Sequence, residues 1–301
     1  MAVAYVVGID AGGSRTRALA VDREGRSLRA HDLVAGANLL ASADALERLR
    51  EAIAGVTNGT VPAAVALCAA GTEDEASRAR VAAFLAELVP GTRVVVAHDA
   101  AAALHAATPE GIGIVLISGT GAIAYGRDAT GREARASGWG HLIGDEGSAT
   151  WLGLEALRAA ARATDGRAEP TLLGDAIAAE LRVSGLRAAL PQLYGVPHPA
   201  PAILAAFRAL GAVLDRDDVA RRIVAAGADE LARAARVVAE RLALDDVFLG
   251  GGAFEALPRL EQDTRARLAA VLPAARVSRM TNEPVVGAAR IAARAAWGAT
   301  A

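Results

Sequence analysis

The chain of 301 residues is 53% hydrophobic, enough to bury the core of one large domain or of two ordinary ones. Its formal charge of −2 and the lack of a long basic run argue against nucleic acid and anionic membrane as partners. Cys68 is the single cysteine, which excludes an intramolecular disulfide and a cysteine-rich metal site and favours a cytoplasmic protein. Neither a signal peptide nor an apolar stretch long enough to span a bilayer is predicted.

The first third of the sequence alternates predicted strands and helices. Short apolar runs predict strands at residues 3–10, 17–22, 27–34, 63–68 and 94–97. Helical periodicity predicts helices at residues 41–54 and 73–88, and a third that starts at Asp99. This alternation is typical of an α/β domain with a mixed sheet.

The plan of the first strands recurs at residues 111–128, where a glycine turn again separates two apolar runs and a third strand follows near residues 132–136. The rest is mostly helical, with helices at 201–210, 219–242 and 284–297, a strand at 246–249 and a loop at 194–201. The repeat predicts two related domains, residues 1–108 and 109–301, that face each other across a cleft. The last helix, about 284–299, is expected to pack back on the N-terminal domain.

Three glycine turns each follow an apolar strand. They contain Asp10, Gly12, Gly13, Ser14 and Thr16 in the first, Thr120 and Gly121 in the second, and Gly250, Gly251 and Gly252 in the third. Glycines let a ligand approach the backbone, and such a turn presents N–H groups to an anion. One turn alone could be an ordinary hairpin with a solvated aspartate. Three such turns favour a phosphate-binding function.

Two acidic positions have both a structural and a chemical interpretation. Asp99 directly follows a strand, where it could accept a proton from a hydroxyl, but by position alone we predict a helix N-cap. Residues 137–153 combine glycines, including Gly138, with Trp139, Asp145 and Glu146. That combination suits a sugar site, and it also suits the N-terminus of the helix that follows.

The sequence contains no lysine, since all 32 basic residues are arginine. A Walker A loop, a protein kinase and a pyridoxal Schiff base each require a lysine, so all three are excluded. A nucleotide would have to be bound by glycine turns, hydroxyls, backbone amides and a metal ion.

Taken in order, these motifs resemble the actin/Hsp70/sugar-kinase superfamily: Asp-x-Gly-Gly-Ser-x-Thr, the strand-end Asp99, Ser-Gly-Thr-Gly, Gly-Trp-Gly-His-x-x-Gly-Asp-Glu-Gly-Ser and Gly-Gly-Gly. Within it the chain resembles the BadF/BadG/BcrA/BcrD-type ATPase family, and most closely its N-acetylglucosamine kinase branch. The motifs extend over nearly the whole chain, and the block at residues 138–148 is the most specific.

The resemblance implies two ribonuclease-H-like domains with ATP bound at the three turns and Mg²⁺ near Asp10. It implies that Asp99 is the base for the sugar 6-hydroxyl, and that Asn38, Gly138, Trp139 and Asp145 bind the sugar. The expected reaction converts N-acetylglucosamine to its 6-phosphate. The partners would be a small amino sugar and, because family members are often dimers, a second copy of the chain.

Several alternatives remain at this stage. Glucosamine or N-acetylmuramic acid could replace N-acetylglucosamine; the apolar surroundings of residues 38–40 and 68–71 favour an acetyl methyl group, but Glu73 or Asp74 could reverse this preference. A non-kinase ATPase or a sugar-sensing switch on the same fold is more remote. An ATPase of the radical-dehydratase activator type needs two cluster-binding cysteines per subunit, and this chain has one.

Overall fold

The computed structural model describes residues 3–12, 15–33, 44–72, 74–196 and 199–298. Within these ranges the strands are β1 (Tyr5–Ala11), β2 (Thr16–Asp22), β3 (Ser27–Leu33), β4 (Ala64–Ala69), β5 (Arg93–Ala97), β6 (Gly113–Ser118), β7 (Ala122–Arg127), β8 (Glu133–Ser137), β9 (Asp246–Gly250) and β10 (Arg276–Arg279).

The helices are α1 (Ala45–Thr57), α2 (Glu75–Leu88), α3 (Asp99–Ala107), α4 (Ala149–Thr164), α5 (Leu173–Leu181), α6 (Leu190–Tyr194), α7 (Ala200–Val213), α8 (Asp218–Leu242), α9 (Gly252–Ala256), α10 (Pro258–Val271) and α11 (Pro284–Trp297). Among the described residues, no helix combines the length and apolar character needed to cross a membrane.

The strands form two five-stranded sheets with the same order. The first sheet runs β3-β2-β1-β4-β5, and the second runs β8-β7-β6-β9-β10. In the first sheet β1 pairs antiparallel with β2 and parallel with β4, while β5 is parallel to β4, so the sheet is mixed. The predicted α/β fold with two related sheets flanked by helices is confirmed.

By its internal contacts the chain divides into two compact units. The first contains the described residues of Met1–Val115, Arg127–Arg132 and Arg279–Ala301, and the second contains Leu116–Gly126 and the described residues of Glu133–Ser278. The predicted division into domains at residues 108 and 109 stays a prediction.

Both faces of the first sheet are covered, which explains why β1 and β4 read as continuous apolar runs. One face packs against α1 and α2 through side chains that include Ile9, Leu49 and Leu85. The other face packs against α11, where Val6 and Ala64 join a cluster with Ala289, Ala292 and Ala293. A Cβ atom at Gly8 would lie 2.1 Å from the backbone nitrogen of Ala289, so the strand and α11 touch backbone to backbone.

In the second unit, helices pack around α4 and α8. A Cβ atom on Gly153 of α4 would lie 2.2 Å from the carbonyl oxygen of Ile203, so α4 and α7 approach closely. The buried N-cap Asp217 of α8 accepts hydrogen bonds from the Ala220 and Leu172 amides and from the Thr171 hydroxyl. These bonds fix the start of α8 beside the segment that leads into α5.

Several predicted boundaries change, and one strand was not predicted. Helix α1 ends at Thr57, three residues later than expected, because Asn58 adopts the left-handed conformation that stops a helix. The loop expected at 194–201 is shorter, since Tyr194 ends α6 and Ala200 begins α7. Strand β10 was not predicted.

Candidate functional site

Two carboxylates meet where the parallel strands of the first unit end. Asp10 of β1, Cys68 of β4 and Ala97 of β5 are in register, and Asp99 follows the last of these strands. The carboxyl ends of parallel strands are where open α/β sheets bind ligands. The strand order therefore brings together two acids that lie far apart in the sequence.

Asp10 lies in an electrostatic environment unfavourable to its charge. Burial raises its pKa to about 7, Asp99 and Glu283 contribute in the same direction, and Arg17 acts against them. The same burial raises the pKa of the neighbouring Cys68 thiol, so this cysteine stays protonated. A cation placed between the two carboxylates would relieve their repulsion.

Arg17 is held in place beside Asp10. The two residues are cross-strand partners, so their side chains lie on the same face of the sheet. The guanidinium Nε lies 2.9 Å from Asp32, and another of its nitrogens lies 2.5 Å from Glu283, the N-cap residue of α11. Sequence analysis missed this arrangement, although the register of a β1–β2 hairpin would have placed Arg17 opposite Asp10.

The prediction that Asp99 caps a helix was wrong by one residue. The N-cap of α3 is His98, and Asp99 is the first helical residue. The Ala100 amide lies 3.1 Å from His98 Nδ1 and 2.8 Å from Asp99 Oδ1, so both side chains face the same donor. The Asp99 carboxylate is 35% exposed and therefore accessible to another group.

The carboxylates of the first unit fit a magnesium ion that takes only one or two ligands from the protein better than a metal whose ligands all come from the protein. Across the described parts of the chain, no cluster of three or more His, Cys, Asp and Glu could hold a metal ion. Mg²⁺ commonly uses one or two carboxylates together with waters and substrate phosphates. Asp10, whose anion is disfavoured first by burial and then by the charge of Asp99, matches that pattern.

The glycine turn between β6 and β7 is built as a phosphate site would be. The Gly119 amide donates to the Gly121 carbonyl, and the Gly119 carbonyl accepts from Ala149 at the start of α4. Thr150 donates its hydroxyl to the Thr120 carbonyl at 2.7 Å. Thr120 itself is exposed. The positive end of the α4 dipole therefore lies against this turn, as at many anion sites.

The turn at residues 250–252 packs directly against the turn at 118–121. A Cβ atom on Gly251, whose φ is +108°, would lie 2.3 Å from the Ser118 carbonyl oxygen. Gly252 begins α9 and has no neighbouring atom within 4 Å of its Cβ position. One glycine is thus needed for the contact between turns, while the other borders open space.

The loop at residues 138–147 is fixed to the same turns from inside. The buried Ser118 hydroxyl donates to the Gly147 carbonyl at 2.8 Å. Asp145, at a φ of +59°, accepts from the Gly140 amide at 3.1 Å and from the Ala122 amide. Burial raises the pKa of Asp145, and these two amides act in the opposite direction. The sugar-binding role expected of Asp145 stays a prediction.

The outer part of this loop is apolar and exposed. Trp139 is 65% exposed, and Leu142 and Ile143 are more exposed still. The guanidinium of Arg135 lies 5.6 Å from the centroid of the Trp139 ring, a cation–π contact. Gly138, at a φ of +74°, lies against Ile123 and orients the loop at this point. Sequence analysis did not single out Arg135.

The remaining predicted site residues belong to the first glycine turn and to the segment after β3. Gly13, Ser14 and Asn38 lie outside the described residues. Gly12 donates its amide to the Arg15 carbonyl at 3.0 Å. Thr16 is fully buried at the start of β2.

The fold and its turns define a class of protein. A solved structure from Chromobacterium violaceum, of a protein provisionally assigned as an N-acetylglucosamine kinase, superposes with a TM-score of 0.77 at 24% identity over 95% of this chain and 98% of that chain. This similarity shows the two-domain, actin-like ATPase fold. The sequence profile of the BadF/BadG/BcrA/BcrD ATPase family matches residues 7–292, and the chain belongs to that family.

Two curated relatives narrow the comparison to sugar kinases. An N-acetylmuramic acid/N-acetylglucosamine kinase from Clostridium acetobutylicum is 29% identical over 300 residues, which cover 96% of this chain and 98% of that protein. An N-acetyl-D-glucosamine kinase from Dictyostelium discoideum is 29% identical over 193 residues, which cover 59% of this chain and 60% of that protein.

Proposed function

We propose that this chain is an ATP- and Mg²⁺-dependent kinase that phosphorylates the 6-hydroxyl of N-acetylglucosamine. The observation that carries the proposal is the pairing of Asp10 with Asp99 at the ends of parallel strands. One carboxylate can hold a metal ion while the other accepts a proton. Membership of an ATPase family supports the use of ATP, and the names of the two relatives support an N-acetylated amino sugar.

In this proposal Asp99 is the general base. Its carboxylate takes the proton from the sugar hydroxyl as the sugar oxygen bonds to the γ-phosphorus, and the bond from that phosphorus to the β-γ bridging oxygen breaks to release ADP. His98 supports this role because it supplies the helix cap and leaves Asp99 accessible. If His98 were instead protonated at Nδ1, that nitrogen would give up the cap bond and donate to Asp99 Oδ1, 2.9 Å away, while the Ala100 amide would keep Asp99 Oδ1 as its acceptor.

Because the sequence has no lysine, backbone groups would supply much of the binding of the nucleotide. The turns at residues 118–121 and 250–252 would bind phosphate oxygens and the nucleoside through backbone amides and open glycine surface. Mg²⁺ held at Asp10 would neutralise charge on the β- and γ-phosphates. Arg17 would keep Asp10 anionic for that ion, since it opposes the effects of burial and of Asp99.

The test is ADP release with ATP, Mg²⁺ and a panel of N-acetylglucosamine, glucosamine, N-acetylmuramic acid and glucose. We expect turnover on N-acetylglucosamine, reduced about 100-fold or more by Asp99→Asn. The matched control is Asp218→Asn, because Asp218 is also an exposed first residue of a helix whose cap is supplied by the preceding residue. This variant should retain normal turnover.

Two results would contradict the proposal. Turnover on glucosamine alone would replace the substrate but keep the reaction. ATP hydrolysis that is independent of every sugar and survives in Asp99→Asn would indicate a non-kinase ATPase on this fold. A cytoplasmic location and a homodimeric state stay predictions, which fractionation and light scattering can test.

A further inference from the structure

We propose that Arg135 gives this site a preference for an amino sugar that carries a carboxylate, the type of group that distinguishes N-acetylmuramic acid from N-acetylglucosamine. The inference rests on the proposed function, because it takes the loop at residues 138–147 of the second unit as sugar-binding and adds a specificity-determining residue beside it. The relevant juxtaposition is a guanidinium placed over the exposed ring of Trp139, at the mouth of the loop formed by residues 138–147.

The direction of Arg135 is given by its contact with Trp139, because Ser137 at the end of β8 has a φ of +61° and departs from regular strand alternation. The Ser137 hydroxyl lies 3.4 Å from Glu146, within the Gly-Asp-Glu-Gly-Ser segment. Arg135 and Ser137 therefore both contact the segment that follows β8. The Arg135 backbone carbonyl accepts a hydrogen bond from Arg241 at 3.1 Å, which anchors the strand and leaves the Arg135 guanidinium outside that bond.

An aromatic ring and a nearby cation suit two different parts of one ligand. The exposed face of Trp139 can stack on the apolar face of a pyranose ring, as aromatic side chains do with amphipathic ligands. The Arg135 guanidinium lies 5.6 Å from the centre of the Trp139 ring, which is within reach of a short ether-linked carboxylate on that pyranose. Arginine binds carboxylates in a two-pronged geometry that lysine does not match.

The other charges of the loop do not duplicate this function. Glu146 and Asp145 are acidic, and Asp145 is buried and bonded to the Gly140 and Ala122 amides. His141 acts to lower the pKa of Asp145. Arg135 supplies a guanidinium cation in contact with the exposed aromatic ring. A neutral sugar would use the ring alone, while an acidic one would use both the ring and the cation.

The experiment compares kcat/KM for N-acetylmuramic acid and N-acetylglucosamine in the wild type, Arg135→Gln and Arg135→Lys. We expect Arg135→Gln to lower kcat/KM for N-acetylmuramic acid about tenfold, through KM, and to change N-acetylglucosamine about threefold at most. Arg135→Lys should recover part of the loss. Arg132→Gln is the matched control. It removes one positive charge from the same hairpin, but the arginine that it removes pairs with Asp128.

A substrate-side variant separates recognition from support of Trp139. The methyl ester of N-acetylmuramic acid should bind the wild type more weakly than the free acid does. Its KM should be the same in the wild type and in Arg135→Gln, because esterification and the substitution remove the same carboxylate–guanidinium interaction. If Arg135 only supports Trp139, the substitution will weaken both sugars and the ester equally, and the proposal is overturned. It is also overturned if the acid-to-neutral preference is unchanged in Arg135→Gln.

Failure of the proposed function would be recognised separately. If the wild type phosphorylates neither sugar, calorimetric binding of the two sugars to the wild type and Arg135→Gln still gives the result. If the wild type binds the acidic sugar more tightly and Arg135→Gln does not, the role of Arg135 is supported. If the wild type shows no such preference, that role is refuted.

Discussion

At the scale of single residues, the environment of Asp10 in the folded protein disfavours the charge of its carboxylate. Desolvation of this partly buried carboxylate raises its pKa to about 7, and the charge of Asp99 acts in the same direction. An unfolded chain would ionise this group near 4. The folded protein therefore gains a proton relative to the unfolded chain between these values, and it loses stability as pH rises through this range.

Asp10→Asn should consequently stabilise the metal-free protein at alkaline pH. We expect a gain of about 1–3 kcal/mol at pH 8 once the partial exposure of the carboxylate is allowed for, and a smaller gain at pH 5. Denaturant unfolding in the presence of a chelator measures both values. The same variant should lose Mg²⁺-dependent turnover.

Asp128→Asn is the control of opposite sign. Hydrogen bonds from Thr130 and Arg132 lower the pKa of Asp128, so its charge stabilises the fold at neutral pH. The asparagine variant should lose stability at pH 8 rather than gain it. If Asp10→Asn destabilises the apoprotein at pH 8 as Asp128→Asn does, the electrostatic interpretation of Asp10 is wrong.

At the scale of elements, the glycine turns separate two roles that the sequence alone presents as one. Gly251 is required because the Ser118 carbonyl occupies the space of a side chain, whereas Gly252 borders open space. The first role belongs to packing between turns. The second is what a turn needs if a ligand is to approach its backbone.

The pair Gly251→Ala and Gly252→Ala tests this separation. Gly251→Ala should lower the free energy of unfolding by about 2 kcal/mol or more, because its Cβ would overlap a carbonyl at positive φ. Gly252→Ala should change it by less than about 1 kcal/mol and yet weaken ATP binding, measured by calorimetry. Equal loss of stability in both variants would contradict the assignment.

The sequence predicts where most strands end, but it does not predict which residues from distant parts of the chain come together. The ends of β1, β4 and β5 follow from their apolar runs and the polar residues after them. The meeting of Asp10 with Asp99 depends on the order of strands in the sheet, which periodicity does not encode. The same holds for Gly251 against Ser118. Strand β10 was missed because it has four residues, begins and ends in arginine and is mostly exposed.

Residue type alone predicts the wrong N-cap for α3 and does not indicate the contact between Arg135 and Trp139. An aspartate after a strand is the usual N-cap, but His98 precedes Asp99 and takes that position with its own nitrogen. The pairing of Arg135 with Trp139 spans only four residues, yet it crosses the end of β8, where Ser137 adopts a φ of +61°. No strand or helix period predicts which side chains meet across such a turn.

At the scale of the whole molecule, the first unit is completed by a helix from the other end of the sequence. Helix α11 covers Val6 and Ala64 on one face of the first sheet, and it also packs closely against α3. A Cβ atom on Gly287 would lie 1.8 Å from the Ala102 carbonyl oxygen. The packing of α11 therefore depends on contacts that only glycine allows.

Gly287→Ala should loosen the first sheet. We expect hydrogen exchange of the β1 and β4 amides to accelerate about tenfold or more, because the two helices must move apart. Gly185→Ala is the control, since Gly185 has open space around its Cβ position and lies in the second unit. Unchanged exchange in β1 and β4 of the Gly287 variant would contradict the role assigned to this contact.

The position of α11 also bears on how the protein is made. Chains generally fold from the N-terminus while the ribosome is still extending them. Here the first sheet is synthesised early, but the helix that covers Val6, Val21 and Ala66 is translated only after the whole second unit. The nascent chain must therefore carry an uncovered apolar sheet face through most of its synthesis. Chaperone binding to that face, ending when α11 emerges, would be the cellular trace of this architecture.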